Sequence, residues 1–354
     1  MLAACGLSDR TVESQGTRWT NRVGRPLIVI SAPRRRSDYY GPYYEEIVDF
    51  WAAYARAVIG KDNILVLGDG PTIRRFRRQG LPDDILVETA LNEDIWMRDF
   101  SPTTQNQPIW YKYRPNYLSK NDASYIQGRI RRWVNNCVRP EYNNIRNSNL
   151  ILDGGNMVFN GLGKGIVTDR VFDDNSDRTE EYIRNQLSRA GITELAIIPQ
   201  MHLETTGHSD GTVAFINNNV IALNKMTSQE RQGVVTALEK SFNGVEYVDL
   251  DSVYDPNDRF DDFDSACGLH VNLLSTDSYL YVPTFGNDSD NPGQSKDRDN
   301  RVLQQIRNKT NKQVVEVPVP YKVCRMGGSV RCLSWQIKGP VADELVKSVQ
   351  YGYC

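Results

Sequence analysis

Cys324-Arg325-Met326-Gly327-Gly328-Ser329-Val330-Arg331-Cys332-Leu333-Ser334-Trp335-Gln336-Ile337 pairs two glycines with an alternating polar and apolar run. Glycines allow a tight turn and close approach of another group, and alternation is the period of a half-buried strand. The run 329–337 therefore reads as a β-strand entered through a turn, with Cys332 at its mouth. A thiol attacks only as thiolate, so such a cysteine needs a base and a favourable electrostatic setting. Working outward, three polar clusters end short apolar stretches: Trp96-Met97-Arg98-Asp99, Leu152-Asp153-Gly154-Gly155-Asn156 and Gly207-His208-Ser209-Asp210-Gly211. Together they offer a cysteine, a histidine and three carboxylates. Cys324 is the rival nucleophile but lacks the preceding glycines, and His202 is the rival of His208, read as structural.

The rest of the chain repeats one grammar, a short β-rich run, a turn and a helical segment. Strands are expected over 26–30, 63–67, 84–88, 108–113, 150–152, 165–168, 212–216, 220–223, 273–274, 279–282 and 313–317, and helices over 43–59, 123–137, 178–190, 228–242 and 301–308. The strand at 26–30 has almost no polar interruption, as expected where both faces are buried. About five ββαβ-like units point to mixed α/β structure with internal repeats.

The clusters occur in a telling order: Asp94-Ile95-Trp96-Met97-Arg98-Asp99-Phe100-Ser101-Pro102-Thr103, then Asp153-Gly154-Gly155-Asn156, Gly207-His208-Ser209-Asp210, Asn272 with Gly286-Asn287-Asp288, and Gly327 through Cys332. In this order they resemble the guanidine-group-modifying superfamily, the pentein enzymes that include agmatine deiminases, bacterial peptidylarginine deiminases and arginine deiminases. The resemblance implies a five-bladed pseudo-symmetric α/β propeller, with 1–24 as an N-terminal arm and 25–354 as one catalytic domain.

It also implies chemistry. Asp99 and Asp210 would clamp a planar guanidinium, whose fixed fork of N–H donors suits carboxylates. Cys332 would attack the guanidino carbon, and His208 would protonate the leaving amine and then activate water. Asp153, where the family usually carries glutamate, would orient His208. Trp96, Asn272, Arg114 and Gly328 are further substrate-site candidates, Arg114 or Lys112 as partners for the carboxylate of an arginine or a peptide terminus. The implied activity is hydrolysis of a guanidino group, on arginine or peptidyl-arginine with agmatine as an alternative, to a ureido group and ammonia. Amidinotransfer is the neighbouring alternative, and an inactive guanidine-binding surface protein is the alternative of another class. The expected partner is a small guanidino compound or an arginine-containing peptide, with no cofactor and no metal.

Composition narrows the field. With 42 basic and 44 acidic residues the formal net charge is -2, which gives no global attraction to nucleic acid or an anionic membrane. Asp261-Asp262-Phe263-Asp264 lacks EF-hand spacing and reads as a solvated loop rather than a Ca²⁺ site. The six cysteines show no metal spacing; they are read as reduced, with Cys137 and Cys267 as the pair an oxidising compartment would allow. Leu2-Ala3-Ala4-Cys5-Gly6 matches a bacterial lipobox without the charged and apolar parts of a signal peptide. It leaves open a lipid anchor at Cys5 and a place in the cell envelope or outside the cell, or a cytoplasmic protein if the match is accidental.

Overall fold

The computed structural model describes residues 20–103, 107–201, 205–253, 255 and 257–354. Cys5 with its lipobox, and His202, lie outside the described residues. Leu27–Ser31 and Asn63–Gly68 are wholly buried strands, and their near-uniform apolar composition fits a parallel pair covered on both faces. Helix Tyr44–Val58 makes the crossover, burying Ile47, Phe50, Trp51, Tyr54 and Val58. The same crossover recurs. Helix Lys120–Cys137 links parallel strands Ile109–Lys112 and Arg146–Ile151, and helix Glu180–Ser188 links Lys164–Thr168 and Glu194–Ile198. Helix Ser228–Ser241 links Val220–Leu223 and Glu246–Asp249, and helix Lys296–Arg307 links Tyr279–Thr284 and Gln313–Pro318.

Each parallel pair has an antiparallel partner. Val158–Phe159, Val213–Asn217 and Leu274–Ser275 serve three of the sheets, and Trp335–Ile337 returns from the far end of the chain to pair with Leu27–Ser31. In the remaining sheet the role falls to a single bridge, Thr103 to Ile109. Each unit is therefore ββαβ. The apolar cores lie between sheets: one joins Val29 and Leu65 to Trp110, the next Tyr111 and Leu150 to Val167, and a third Ile166 and Ile198 to Val213 and Phe215. A fourth joins Ala222 to Leu280 and Val282, and a fifth joins Tyr281 and Val315 to Ile28 and Ile64.

Three expectations need correction. The strand expected over 329–337 is confined to Trp335–Ile337, and Cys332 lies in a turn closed by Leu333 N–H to Ser329 C=O at 3.1 Å and Ser334 N–H to Arg331 C=O at 3.0 Å. The N–H groups a ladder would have used go elsewhere: Ser329 and Cys332 donate to the Asn272 side-chain oxygen, and Arg331 to the Asn272 carbonyl. Four of the cysteines are not reduced thiols, and Cys137 does not pair with Cys267: Cys137 pairs with Cys354 and Cys267 with Cys324. The first link ties the end of helix Lys120–Cys137 to the segment after helix Pro340–Gln350, which shares its core. The second takes Cys324 out of contention as nucleophile and leaves Cys332 as the free thiol among the described residues. Helices Gly70–Arg78 and Pro340–Gln350 went unexpected, although Asp69 accepts the Thr72 N–H at 3.0 Å and Pro71 opens the first turn, as N-terminal signals should.

Candidate active site

Every candidate catalytic side chain sits in a tight turn just before the first strand of a ββαβ unit. Asp99 lies in the helical turn Met97–Phe100, ahead of Thr103, and Asp153 opens the 3-10 turn Gly154–Asn156, ahead of Val158. His208 caps the turn Ser209–Gly211, which holds Asp210 and precedes Val213. Asn272 ends a turn ahead of Leu274, and Cys332 precedes Trp335. The turns bond to one another. Arg98 N–H reaches the Cys332 carbonyl at 3.0 Å, Gly155 N–H reaches Asp99 Oδ1 at 2.9 Å, and Arg331 N–H reaches the Asn272 carbonyl at 3.0 Å. Glycine is required here by contact: a Cβ on Gly155 would lie 2.4 Å from His208 Nδ1, and one on Gly154 1.9 Å from the Arg98 carbonyl oxygen.

Asp99, His208, Asp210, Asn272 and Cys332 line one cavity of about 90 Å³, together with Trp96, Tyr117, Phe263, Leu269 and Met326. The Asn272 amide donates to Cys332 Sγ at 3.0 Å, and Sγ stands 3.8 Å from Asp210 Oδ2. His208 lies between two carboxylates, Nδ1 at 3.8 Å from Asp99 Oδ1 and Nε2 at 3.4 Å from Asp153 Oδ2. Asp210 Oδ2 also meets Arg331 Nε at 3.1 Å.

Burial and charge act against each other here. Burial pushes the Asp99 carboxyl up, His208 pulls it back, and the neighbouring Asp153 and Asp210 push it further, leaving it at about 7. For His208, burial favours the neutral ring, but Asp99, Asp153 and Asp210 outweigh it and hold the imidazolium up to about 9. Burial, then Asp210 and Asp99, push the Cys332 thiol well up, against the Asn272 hydrogen bond and the Arg331 charge. A cluster of acids around a protonated thiol is set for a cation, which would relieve all of these groups together.

Some sequence candidates lie apart from the cavity wall. Asp153 sits behind His208, and its Oδ1 accepts the Arg114 N–H at 3.3 Å. Neither Arg114 nor Lys112 lines the cavity, and Lys112 is exposed. Gly328 makes room for protein rather than ligand: a Cβ there would stand 2.3 Å from the Trp96 ring and 2.8 Å from Cys332 Cβ. Gly327, at φ +100°, lines the cavity instead. Sequence reasoning missed Tyr117, Phe263, Leu269 and Met326, whose apolar character carries no catalytic signal, and it missed Arg331. Asp264 also faces the cavity, bonded to Arg259 at 2.9 Å and to the Thr205 N–H at 3.1 Å rather than free for a cation site.

The model of the Porphyromonas-type peptidyl-arginine deiminase family matches residues 25–337. The chain belongs to that family. As a deiminase it is a hydrolase of C–N bonds in amidines, acting on a guanidino group. No curated protein matches it. Among solved structures it is similar to an agmatine deiminase of C. jejuni, with 17% identity and a TM-score of 0.70 over 91% of this chain and 94% of the other. A substrate-bound form of the C. jejuni agmatine deiminase is similar at 17% identity and a TM-score of 0.67, over 91% and 95%. The agmatine deiminase of Enterococcus faecalis is similar at 16% identity and a TM-score of 0.65, over 89% and 94%. These likenesses speak for the α/β fold of the pentein deiminases.

Proposed function

We propose that this deiminase converts the guanidino group of an arginine side chain in a peptide into a ureido group, through a covalent adduct on Cys332. The observation that carries the proposal is the meeting of Cys332, His208, Asp99 and Asp210 in one cavity. The two carboxylates accept the guanidinium N–H groups. Entry of the cation favours the thiolate, whose proton leaves to solvent, and Sγ bonds to the central carbon. His208, protonated below about 9, gives its proton to one amino group, which departs as ammonia. Water then attacks the S-amidino carbon and yields a proton to His208. The C–S bond breaks, the hydroxyl proton returns to sulfur, and the ureido product leaves. Asp153 keeps the imidazolium oriented through Nε2.

The cavity, of about 90 Å³, has room for the head of one side chain, which a peptide would present from outside. The described lining holds Asp99, Asp210 and Asp264 and no lysine or arginine, which disfavours the free carboxylate of arginine. The same observation favours a second reading, an arginine-derived amine such as agmatine. The cyclic order in which five cores join the sheets supports a five-bladed propeller, with these turns gathered at its centre, and a single catalytic domain. Two disulfides together with the lipobox-like start support an oxidising location, the cell envelope or the exterior.

The test is ammonia and ureido formation from peptides with internal or C-terminal arginine, agmatine and free arginine, comparing the parent with Cys332→Ser. Turnover of a peptide that the variant loses is expected. Turnover of agmatine alone selects the second reading, and product only with an added amine acceptor would make the protein an amidinotransferase.

A further inference from the structure

Arg331 directly precedes the nucleophile, and no step above uses it. Its side chain is 11% exposed and that of Asp210 2%, so this is a nearly buried ion pair. Nε donates to Asp210 Oδ2 at 3.1 Å and Nη2 to the Met157 carbonyl at 2.6 Å. The backbone is fixed as well: the Arg331 N–H donates to the Asn272 carbonyl at 3.0 Å, and its own carbonyl accepts from Arg98 Nε at 3.4 Å. Arg331 does not line the catalytic cavity. It borders a separate one of about 20 Å³, among Val158, Phe215, Leu273 and Gln336.

Asp210 thus receives Arg331 from one side and faces the catalytic cavity on the other. Oδ2 is engaged by Arg331 and stands 3.8 Å from Cys332 Sγ. Oδ1 has no protein partner among the described residues, which leaves it for a substrate N–H. Asp99 has no such support: Gly155 N–H and His208 meet its Oδ1, and no guanidinium among the described residues does.

We infer that Arg331 is a positioning residue, a resident guanidinium that turns Asp210 so that Oδ1 meets the substrate and that offsets the Asp210 charge beside the thiol. The inference rests on the deiminase reading of the site. Two further features agree with it. Cys332 is faced by the carboxylates of Asp210 and Asp99, by the amide of Asn272 and by the guanidinium groups of Arg331 and Arg98, with His208 in the same cavity; of these, Asn272 and Arg331 draw the thiol toward ionisation, against Asp210 and Asp99. The planar fork of arginine also reaches two acceptors at once, Asp210 and Met157, which a lysine ammonium on one flexible stem does not reproduce.

The experiment compares the full chain with Arg331→Gln and Arg331→Lys. It reads kcat and KM for the preferred guanidino substrate, and separately the pH dependence of iodoacetamide alkylation at Cys332, followed on the Cys332 peptide by mass spectrometry. Arg331→Gln is expected to raise KM about tenfold or more, as loss of a charged hydrogen bond implies, and to move the alkylation profile toward higher pH. Arg331→Lys is expected to return the alkylation profile to that of the parent while KM stays raised, because charge is restored and orientation is not. Parent KM and parent profile in Arg331→Gln would overturn the inference. If Arg331→Gln fails to fold, Arg331→Lys decides alone: a raised KM with the parent profile upholds the inference, and any other result overturns it. A parent without turnover on any guanidino compound would sink the deiminase reading, and the alkylation profiles would still decide the role of Arg331.

Discussion

Replacing Asn272 with alanine should damage stability and catalysis by separable amounts. The side-chain oxygen accepts from Ser329 N–H at 3.2 Å, Ser329 Oγ at 3.1 Å and Cys332 N–H at 3.3 Å, all buried. Removing it leaves two buried N–H donors without an acceptor, each costing about 1–3 kcal/mol, so the fold should lose about 2–6 kcal/mol. The side-chain amide also donates to Cys332 Sγ at 3.0 Å, a bond that strengthens when sulfur is ionised. A hydrogen bond to a charged group contributes about 1.5–3 kcal/mol, which corresponds to a loss of about 10- to 150-fold in kcat/KM. Asn272→Asp keeps the acceptor, loses the donor and sets a carboxylate against the thiol, so its activity should fall at least as far. Denaturant unfolding measures the first effect, and ammonia release with alkylation of the Cys332 peptide measures the second. An Asn272→Ala protein with parental unfolding and parental kcat/KM would refute the assignment of Asn272 as the group that holds the nucleophile.

Acid dependence follows from the clamp: kcat/KM should fall as pH drops through about 7, where Asp99 gains a proton, and fall again above about 9, where His208 loses one. A flat profile across that window would contradict both roles. Because the folded Asp99 carboxyl and the His208 imidazolium both titrate above their unfolded values, the stability each contributes is present at low pH. For Asp99 it is lost as pH rises from about 4 and is gone by about 7, and for His208 it is lost between about 6.5 and about 9, so thermal unfolding of the free protein should move downward from about pH 4 to about pH 9. A bound guanidinium compound should restore more stability above about pH 7 than below it. The disulfides close loops of 57 and 217 residues, and replacing either pair with serine should cost about 4–5 kcal/mol by the chain-entropy relation. Loss of Cys267–Cys324 should also raise KM, since Ala266, Met326 and Gly327 beside it line the cavity; loss of Cys137–Cys354 should not, and kinetics on the two variants would separate them.

The candidate constellation was legible because its members are chemically loud residues in short turns, beside glycines for Asp153, His208, Asp210 and Cys332 and beside Trp96 and Arg98 for Asp99, each turn marking the start of a ββαβ unit. The repeat itself was legible from periodicity in long elements such as helix Tyr44–Val58, which lies within a residue of its expected bounds. What the sequence hid was tertiary. Alternation after Gly328 has the period of a strand, but the side chain of Asn272 takes the N–H groups that a strand would have paired. Nothing local tells Cys137 to pair with Cys354 across 217 residues, or Cys267 with Cys324. Arg331 reads as one polar member of an alternating run until the fold sets it against Asp210. Arg114 sits near enough in sequence to the tryptophan and aspartate of the site to suggest a carboxylate anchor, yet its backbone, not its guanidinium, is what meets Asp153.

The central claim is that Cys332 carries the guanidino carbon while ammonia leaves. Acid-quenching the enzyme during turnover of an arginine peptide and mapping the modified residue by mass spectrometry tests it most directly. A Cys332 peptide that has gained the substrate less one ammonia, with ammonia formed at the same rate as ureido product, is the predicted result. Turnover that persists in Cys332→Ser, or an adduct on any other residue, would contradict it.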